Sequence, residues 1–229
     1  MIHIDHISIA ARNLYEASYR LRSETGLGFY DGGWTESGLA TKIFPLRAGA
    51  YLQVEGIVDV DAVDDPANPG IRQFYAAVAG GEHFRGLGLR VDSMEELQEI
   101  AKRRGSKVYM NPETGRIRPD GSRVIVAQTP SIGESWSQGM PNWFFFPEMT
   151  THPSGQRVIA VPDLVAPDGV AWIEMGGTET EMSQWLGVAA SNFPFRFSGG
   201  APGVHAVAVK TDKGEVIIRR KPAKADDRT

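Results

Sequence analysis

The chain has 229 residues, of which 24 are Lys or Arg and 28 are Asp or Glu, so its formal net charge is -4. This mild acidity argues against a nucleic-acid partner, because phosphate-binding surfaces need a basic excess. The absence of cysteine excludes disulfides, Cys-ligated zinc, iron–sulfur clusters and a thiol nucleophile. A hydrophobic content of 41% is enough to build one large domain or two smaller ones.

The N-terminal segment MIHIDHISIAARN has the alternation of a β-strand. It lacks the basic region and the apolar region of a signal peptide. The apolar stretches of the sequence all fall short of the ~20 residues that a membrane-spanning helix needs. We therefore expect a cytoplasmic protein without a membrane span.

A pattern of strand, helix cap, helix and glycine occurs three times along the sequence. It first runs from a strand at residues 4–10 through an N-cap at Asn13 into an amphipathic helix. It returns 80 residues later, with a strand at 84–91 and an N-cap at Ser93. A shorter third copy covers residues 171–187. Repetition at this spacing predicts duplicated βα units.

Strand-like runs punctuated by Gly and Pro follow each of the first two helices, and a hairpin pattern ends the third copy. Each of the first two copies therefore has the order β-α-β-β, with space for a further strand. We divide the chain into a first module (1–58), a linker with a short helix (59–82), a second module (83–149), a third partial repeat with a C-terminal hairpin (150–219) and a tail (220–229).

This order of elements, together with the segments IDHISIA, TGLG, PNWFFFPEMTTHPSG and QRVIAVPDLVAP, resembles the vicinal oxygen chelate superfamily of glyoxalases, bleomycin-resistance proteins and extradiol dioxygenases. The last two segments are similar, more narrowly, to its glyoxalase-like branch. The resemblance implies an α+β fold in which paired β-α-β-β-β modules and a third partial repeat form curved mixed sheets around a central cavity. Metal-dependent members hold a divalent cation there with His and Glu or Gln from inward-facing strand positions, whereas other members only sequester a ligand.

Strand parity predicts which residues of the first module face the cavity, because apolar residues must pack under the helix and their neighbours point the other way. His6 and Ser8 take the cavity side of the first strand, and His6 matches the first metal ligand of the family. Gln53 and Glu55 take that side of the strand at 50–56, where Gln53 matches the family's strand-end carboxylate. The alternatives are a pocket-lining or strand-bonding His6 and solvent-facing polar groups at the strand end.

The second module departs from the metal-binding pattern of the family. Gly86 occupies the position that corresponds to His6, and an aromatic run at 143–146 stands where a relative would present Glu. Arg85 has the parity of a helix-facing residue and is expected near a strand edge. We therefore predict neither a bound metal nor another cofactor. The alternative is a divalent metal held by His6 and Gln53.

The aromatic side chains of Trp143 and Phe145 are predicted to line one side of a pocket for an apolar or planar ligand. The alternative is a strand of the hydrophobic core, which has the same pattern. Trp172 and Glu174 share one face of a strand in the third repeat, so a carboxylate suited to acid–base chemistry is expected beside a ring in the cavity. The alternative is a structural Glu174 paired with an arginine. His152 lies in a turn that resembles the family branch, where it either caps the pocket entrance or stabilises the turn.

Together these residues predict a glyoxalase-like enzyme that acts on a small, partly hydrophobic or aromatic carbonyl compound by isomerase- or lyase-type chemistry. The alternatives are a non-catalytic small-molecule binding or resistance protein and a metal-dependent dioxygenase. The expected partner is a small-molecule substrate or ligand, with no nucleic acid and no membrane. The sequence leaves open whether the protein forms a homodimer. The expected catalytic residues are His6, Glu55 and Glu174, and the expected ligand-binding residues are Ser8, Gln53, Trp143, Phe145, Trp172 and His152.

Overall fold

Four α-helices and thirteen β-strands build the part of the chain that the computed structural model describes, residues 1–46, 49–110, 115–129, 142–145, 169–211 and 214–222, with backbone alone for 142–145 and 221–222. The helices are α1 (Leu14–Thr25), α2 (Pro69–Ala77), α3 (Met94–Arg103) and α4 (Glu179–Leu186). The strands are β1 (His3–Ala11), β2 (Tyr30–Trp34), β3 (Leu39–Pro45), β4 (Tyr51–Ile57), β5 (His83–Arg90), β6 (Tyr109–Met110), β7 (Ala127–Thr129), β8 (Asn142–Phe145), β9 (Gly169–Met175), β10 (Phe195–Phe197), β11 (Val204–Thr211), β12 (Gly214–Arg219) and β13 (Lys221–Pro222).

Side-chain caps begin the helices of the three repeats, as the sequence predicts. The Asn13 side chain accepts hydrogen bonds from two first-turn amides of α1, and Ser93 accepts one at α3. At α4 the capping box of Thr178 is complete, whereas at α1 Glu16 does not reach back to the cap and accepts from Arg20 instead. Within the described ranges, no helix is both long enough and apolar enough to cross a membrane.

The first sheet combines the two modules in the strand order β2-β3-β4-β1-β5-β8-β7-β6. In each module the first strand pairs in parallel with the last, β1 with β4 and β5 with β8. The modules meet where β1 runs antiparallel to β5, and Ile7 pairs with Leu87 at the centre of this contact. The α+β fold with paired β-α-β-β-β modules is therefore confirmed.

Two β-bulges interrupt the pairing of β1 with β5. His6 pairs with Gly88 and Ser8 pairs with Gly86, but Asp5 and Arg85 have no opposite residue. These two residues are 80 positions apart, the spacing of the repeat, so the bulges are related by the pseudo-twofold symmetry of the modules. A bulge inserts an extra residue and re-aims the side chains beside it.

Strand β2 was not predicted, because the consecutive glycines Gly32 and Gly33 interrupt its pattern. The structure explains both glycines. A Cβ on Gly33 would lie 2.0 Å from the carbonyl oxygen of Ile117, and a Cβ on Gly32 would overlap the side chains of Thr41 and Arg116. Ile117 belongs to a short hairpin at 116–124 of the second module, and its backbone exchanges two hydrogen bonds with Trp34 of the first. This bridge joins the β2 edge of the sheet to the second module.

The second sheet has the order β10-β9-β11-β12, and its β11–β12 hairpin confirms the C-terminal hairpin of the sequence pattern. Strand β9 pairs in parallel with β10 and antiparallel with β11, as β1 does with β4 and β5. The apolar face of this sheet, with Ile173 and Met175 of β9 and Val207 of β11, belongs to the same core cluster as Ile7 and Ile9 of β1. The two sheets therefore share one core.

The chain after β12 is tied to the first sheet and to the helix of the first module. Lys221 and Pro222 pair with the start of β5, and the Arg220 guanidinium donates to Glu82 at 2.8 Å and to Glu24 at 2.7 Å. The Arg220 and Glu82 side chains are only 11% and 13% exposed, so solvent screens this pair weakly.

We predict that Arg220→Ala lowers the free energy of unfolding by about 1–3 kcal/mol, because a half-buried Glu82 loses a charged hydrogen-bond partner. The neighbouring Arg219→Ala is the matched control. Its guanidinium is 60% exposed and pairs with Glu174 at 3.3 Å, so its loss is expected to change the stability by less than about 1 kcal/mol. Urea unfolding of the three proteins measures both values, and equal losses for the two variants would contradict the prediction.

Candidate functional site

The candidate site lies on the face of the first sheet that points away from the helices. We call this face, which carries His6, Ser8 and Gln53, the concave face. Its side chains alternate with the apolar residues of the core, so Ile7, Ile9, Leu52 and Val54 point to the helices. The remaining residues form rows across neighbouring strands, because paired residues share a face. Tyr51 and His6 form one row with Gly88, and Gln53 and Ser8 form the next row with Gly86.

A buried pair of titratable side chains, Asp5 and His6, lies at the centre of this face. His6 Nδ1 is 2.7 Å from Asp5 Oδ2, and the two residues are 7% and 0% exposed, respectively. Arg90 Nε lies 3.8 Å from the other Asp5 oxygen. A carboxylate oxygen next to Nδ1 favours the His6 tautomer that carries its hydrogen on Nδ1.

The orientation of the His6 ring is fixed from both sides. The ring of Tyr51 stacks on it with the centroids 5.1 Å apart and an angle of 17° between the planes. On the other side lies Gly88, where an added Cβ would stand 2.4 Å from His6 Cε1 and 2.6 Å from Nδ1. The glycine of the second module therefore provides the space that the imidazole of the first module fills.

A network of polar side chains lies next to this pair along the strands. Gln53 Nε2 donates to Ser8 Oγ at 2.6 Å and to Glu55 Oε1, and the other Glu55 oxygen forms an ion pair with Arg85. The Glu55 side chain is 12% exposed. Both of its oxygens thus serve as hydrogen-bond acceptors, so Glu55 anchors its neighbours.

These residues do not fit the divalent metal site that the family resemblance implies. Gln53 and Glu55 are engaged with each other and with Arg85, and the positions that the second module offers opposite β1 are Gly86 and Gly88. Among the described side chains His6 is left as a single donor, whereas a catalytic metal needs about three protein ligands. Within the described residues, no group of three or more His, Asp or Glu side chains could hold a metal ion.

Two arginines of the 116–124 hairpin extend the site towards β2 and β3. Arg116 Nη1 donates to Thr41 Oγ1 at 3.0 Å, and the guanidinium lies over Gly32, where a Cβ would stand 2.5 Å from Nη1. Arg118 follows two residues later. Burial lowers its pKa, and the nearby charge of Arg116 lowers the pKa further.

The second sheet does not bring its predicted residues to this face. On β9, Trp172 and Glu174 alternate with Ile173 and Met175, which belong to the core between the two sheets. Trp172 and Glu174 therefore point away from that core, in the direction opposite to the polar face of the first sheet. Glu174 instead pairs with Arg219, as the structural alternative predicts, and Trp172 donates to Glu215. The side chains of Trp143 and Phe145 lie outside the described part of the structure, as does His152 altogether.

Sequence reasoning missed three residues that contribute to the site, Asp5, Arg85 and Arg116. Alternation assigns Asp5 and Arg85 to the helix side of their strands. This assignment is wrong because each residue lies in a bulge, which brings Asp5 to His6 and Arg85 to Glu55. The available signal was a charge inside an otherwise apolar strand pattern, repeated after 80 residues. No local pattern places Arg116 over β2, because Arg116 and Gly32 are 84 residues apart in the sequence.

We predict that Gly88→Ala lowers the free energy of unfolding by about 1–3 kcal/mol, because the methyl group overlaps the His6 ring. It should also shift the ring-proton NMR signals of His6. Gly70→Ala in α2 is the control, since nothing lies within 4 Å of the added Cβ, and it should leave stability unchanged or raise it by up to about 1 kcal/mol. Unchanged His6 signals in Gly88→Ala would contradict the packing described.

Comparisons with known proteins agree with this architecture. A search of the curated proteins found no match. Among solved structures, a hypothetical protein from Staphylococcus aureus is similar with a TM-score of 0.65 and 12% identity, over 97% of this chain and 100% of that one. Methylmalonyl-CoA epimerase from Mycobacterium tuberculosis is similar with a TM-score of 0.43 and 16% identity, over 62% of this chain and 86% of that one.

The family comparison covers most of the chain and confirms the resemblance seen in the sequence motifs. The model of the family described as "Glyoxalase-like domain" matches residues 4–186, which include both modules and the βα unit of the third repeat. The protein therefore belongs to the glyoxalase-like domain family of the vicinal oxygen chelate superfamily.

Proposed function

We propose that the protein is a glyoxalase-like enzyme in which His6 removes a proton from a carbon next to the carbonyl group of a small, partly hydrophobic substrate. The buried Asp5–His6 pair on the concave face is the observation that carries this proposal. A histidine held by a carboxylate is a common general base, because the carboxylate fixes the tautomer and stabilises the protonated ring. The fixed ring plane adds to its suitability, since proton transfer depends on orientation.

The proposed step is an isomerisation that needs only side chains. The proton moves from the substrate carbon to His6 Nε2, and the electron pair left behind delocalises onto the carbonyl oxygen. The proton on His6 exchanges with solvent, and return of a proton to the carbon or to a neighbouring atom of the delocalised system completes the reaction without another reactant. Asp5 acts as a positioning residue, because it touches His6 and not the reacting carbon.

Glu55 has a different role in this proposal from the base that the sequence suggests. Its two oxygens are bound to Gln53 and Arg85, so it holds the amide and the guanidinium in place on the concave face. Gln53 and Ser8 then form the polar floor beside His6. We propose that this floor contacts the polar part of the substrate.

The test is exchange of substrate hydrogen for solvent deuterium, which reports proton abstraction even when no net product forms. The protein is incubated in D2O with small hydrophobic and aromatic ketones and 2-oxo acids, and loss of the C–H signal next to the carbonyl is followed by NMR. We expect His6→Gln to slow exchange by at least about 100-fold. Asp5→Asn should reduce the maximal exchange rate while the substrate affinity stays unchanged.

His3→Gln is the matched control, because His3 lies on the same strand but contacts Asp92 at the partly exposed end. It should exchange at the wild-type rate. Equal rates for His6→Gln and His3→Gln would remove His6 from the reaction. A compound that binds and is recovered without deuterium would favour the non-catalytic binding protein.

The number of available metal ligands in the site also predicts the metal content of the purified protein. We expect protein purified without chelators to contain much less than one equivalent of zinc, iron, manganese or nickel, because His6 is the single well-placed ligand in the described part of the site. Elemental analysis by mass spectrometry measures this. Near-stoichiometric metal that disappears in His6→Ala would contradict the prediction and favour the dioxygenase alternative.

A further inference from the structure

An open strand edge lies at the end of the second sheet. Strand β12 has six residues and pairs with β11 on one side, and within the described residues no strand pairs with its other side. The other edge strands of the two sheets are shorter, with five residues in β2, three in β10 and two in β6. Strand β2 also pairs at Trp34 with Ile117 of the second module. The edge of β12 thus leaves a row of backbone donors and acceptors available to another strand.

The register of the β11–β12 hairpin shows which backbone groups point to this open edge. Thr211 pairs with Gly214 across two intervening residues, so this last pair exchanges its backbone hydrogen bonds directly. Every second residue of β12 after Gly214 then bonds to β11 in the same way. The backbone N–H and C=O groups of the residues in between point away from β11, and these residues are Glu215, Ile217 and Arg219.

The side chains of these three residues lie on the face of the second sheet that points away from the core. Ile217 is 50% exposed at the centre, and the exposed Glu215 and Arg219 lie on either side of it. Glu215 Oε2 accepts a hydrogen bond from Trp172, and Arg219 Nη1 donates to Glu174, so both charged side chains are held on this face. Along its open edge, β12 therefore presents a negative, an apolar and a positive side chain in turn.

This order of side chains is complementary to itself. When two copies of β12 pair antiparallel about a twofold axis at Ile217, each Glu215 lies opposite Arg219 of the other copy, and the two Ile217 side chains lie opposite each other. Opposite charges and apolar side chains form favourable cross-strand pairs, whereas like charges are unfavourable. Registers centred on Glu215 or on Arg219 would bring identical charges together. The charges therefore favour the register centred on Ile217, in which all three outward-facing residues pair.

We propose that β12 forms the interface of a homodimer, in which a second copy of this chain adds its own β12 to the open edge. The twofold axis brings the same surface of both copies together, as in most homodimers. The two four-stranded sheets then form one continuous sheet. This proposal is independent of the function proposed for His6, because β12 belongs to the second sheet.

The first test is the mass of the protein in solution, measured by analytical ultracentrifugation. The wild-type chain should be a dimer at roughly 100 μM, and the dimer fraction should fall on dilution, because each copy contributes one short strand. Ile217→Lys should weaken the dimer at least about tenfold, since it places two lysines opposite each other at the axis. Val60→Lys is the matched control and should dimerise like the wild type, because Val60 is 68% exposed but lies outside the second sheet.

Charge reversal tests the register of the two strands. Glu215→Arg and Arg219→Glu should each weaken the dimer, because each variant brings like charges together at two symmetry-related positions. An equimolar mixture of the two variants restores opposite charges at both positions, so it should form the mixed dimer. A mixture that dimerises no better than either variant alone would overturn the register centred on Ile217.

Backbone hydrogen exchange tests the wild-type protein directly, whether or not the variants fold. The amides of Glu215, Ile217 and Arg219 should exchange at least about tenfold more slowly in the dimer than in the diluted monomer. The amides of Val216 and Ile218, which are bonded to β11, should change less. A wild-type chain that is monomeric at roughly 100 μM, a dimer that survives Ile217→Lys, or a dimer without protection of the three outward-facing amides would overturn the proposal.

Discussion

The antiparallel pairing of Ile7 with Leu87 joins the two modules, and the positions of the site residues follow from it. Both side chains are fully buried in the core, so a slip of one residue would turn the apolar face of β1 outwards. This constraint fixes the opposite face as well. It places His6 across from Gly88, and it leaves Asp5 and Arg85 as the two extra residues of the contact. The arrangement of charges on the concave face is thus a consequence of how the core is packed.

Two pairs of titratable or charged side chains on that face are matched within the sheet. The pairs Asp5 with His6 and Glu55 with Arg85 join residues of neighbouring or bulged positions on rigid strands. Arg116 comes from a hairpin of the second module and donates to the Thr41 hydroxyl on β3, opposite Glu55. Polar contacts on this face therefore connect the two modules as well as neighbouring strands.

The sequence predicts those parts of the fold that depend on local periodicity. The caps at Asn13, Ser93 and Thr178, the repeat spacing and the core-facing residues of β1 and β4 are all visible in the residue pattern. The bulges are not, because one extra residue reverses the parity on which the assignment depends. The outward direction of Glu174 could not be predicted either, since alternation gives the two faces of β9 but not which sheet packs on them. The paired glycines of β2 became interpretable only with the hairpin beside them.

The symmetry of the two bulges has a consequence for how this protein could diverge. If the same fold were assembled from two identical single modules, any substitution at the position of Asp5 or His6 would appear at both ends of the central contact. Because both modules lie in one polypeptide, the equivalent positions hold Arg85 and Gly86, which have the opposite charge and no side chain, respectively. The covalent link thus allows one half to carry the Asp5–His6 pair while the other provides space for the ring and a positive partner for Glu55. A symmetric assembly of separate modules could not evolve this division of labour by single mutations.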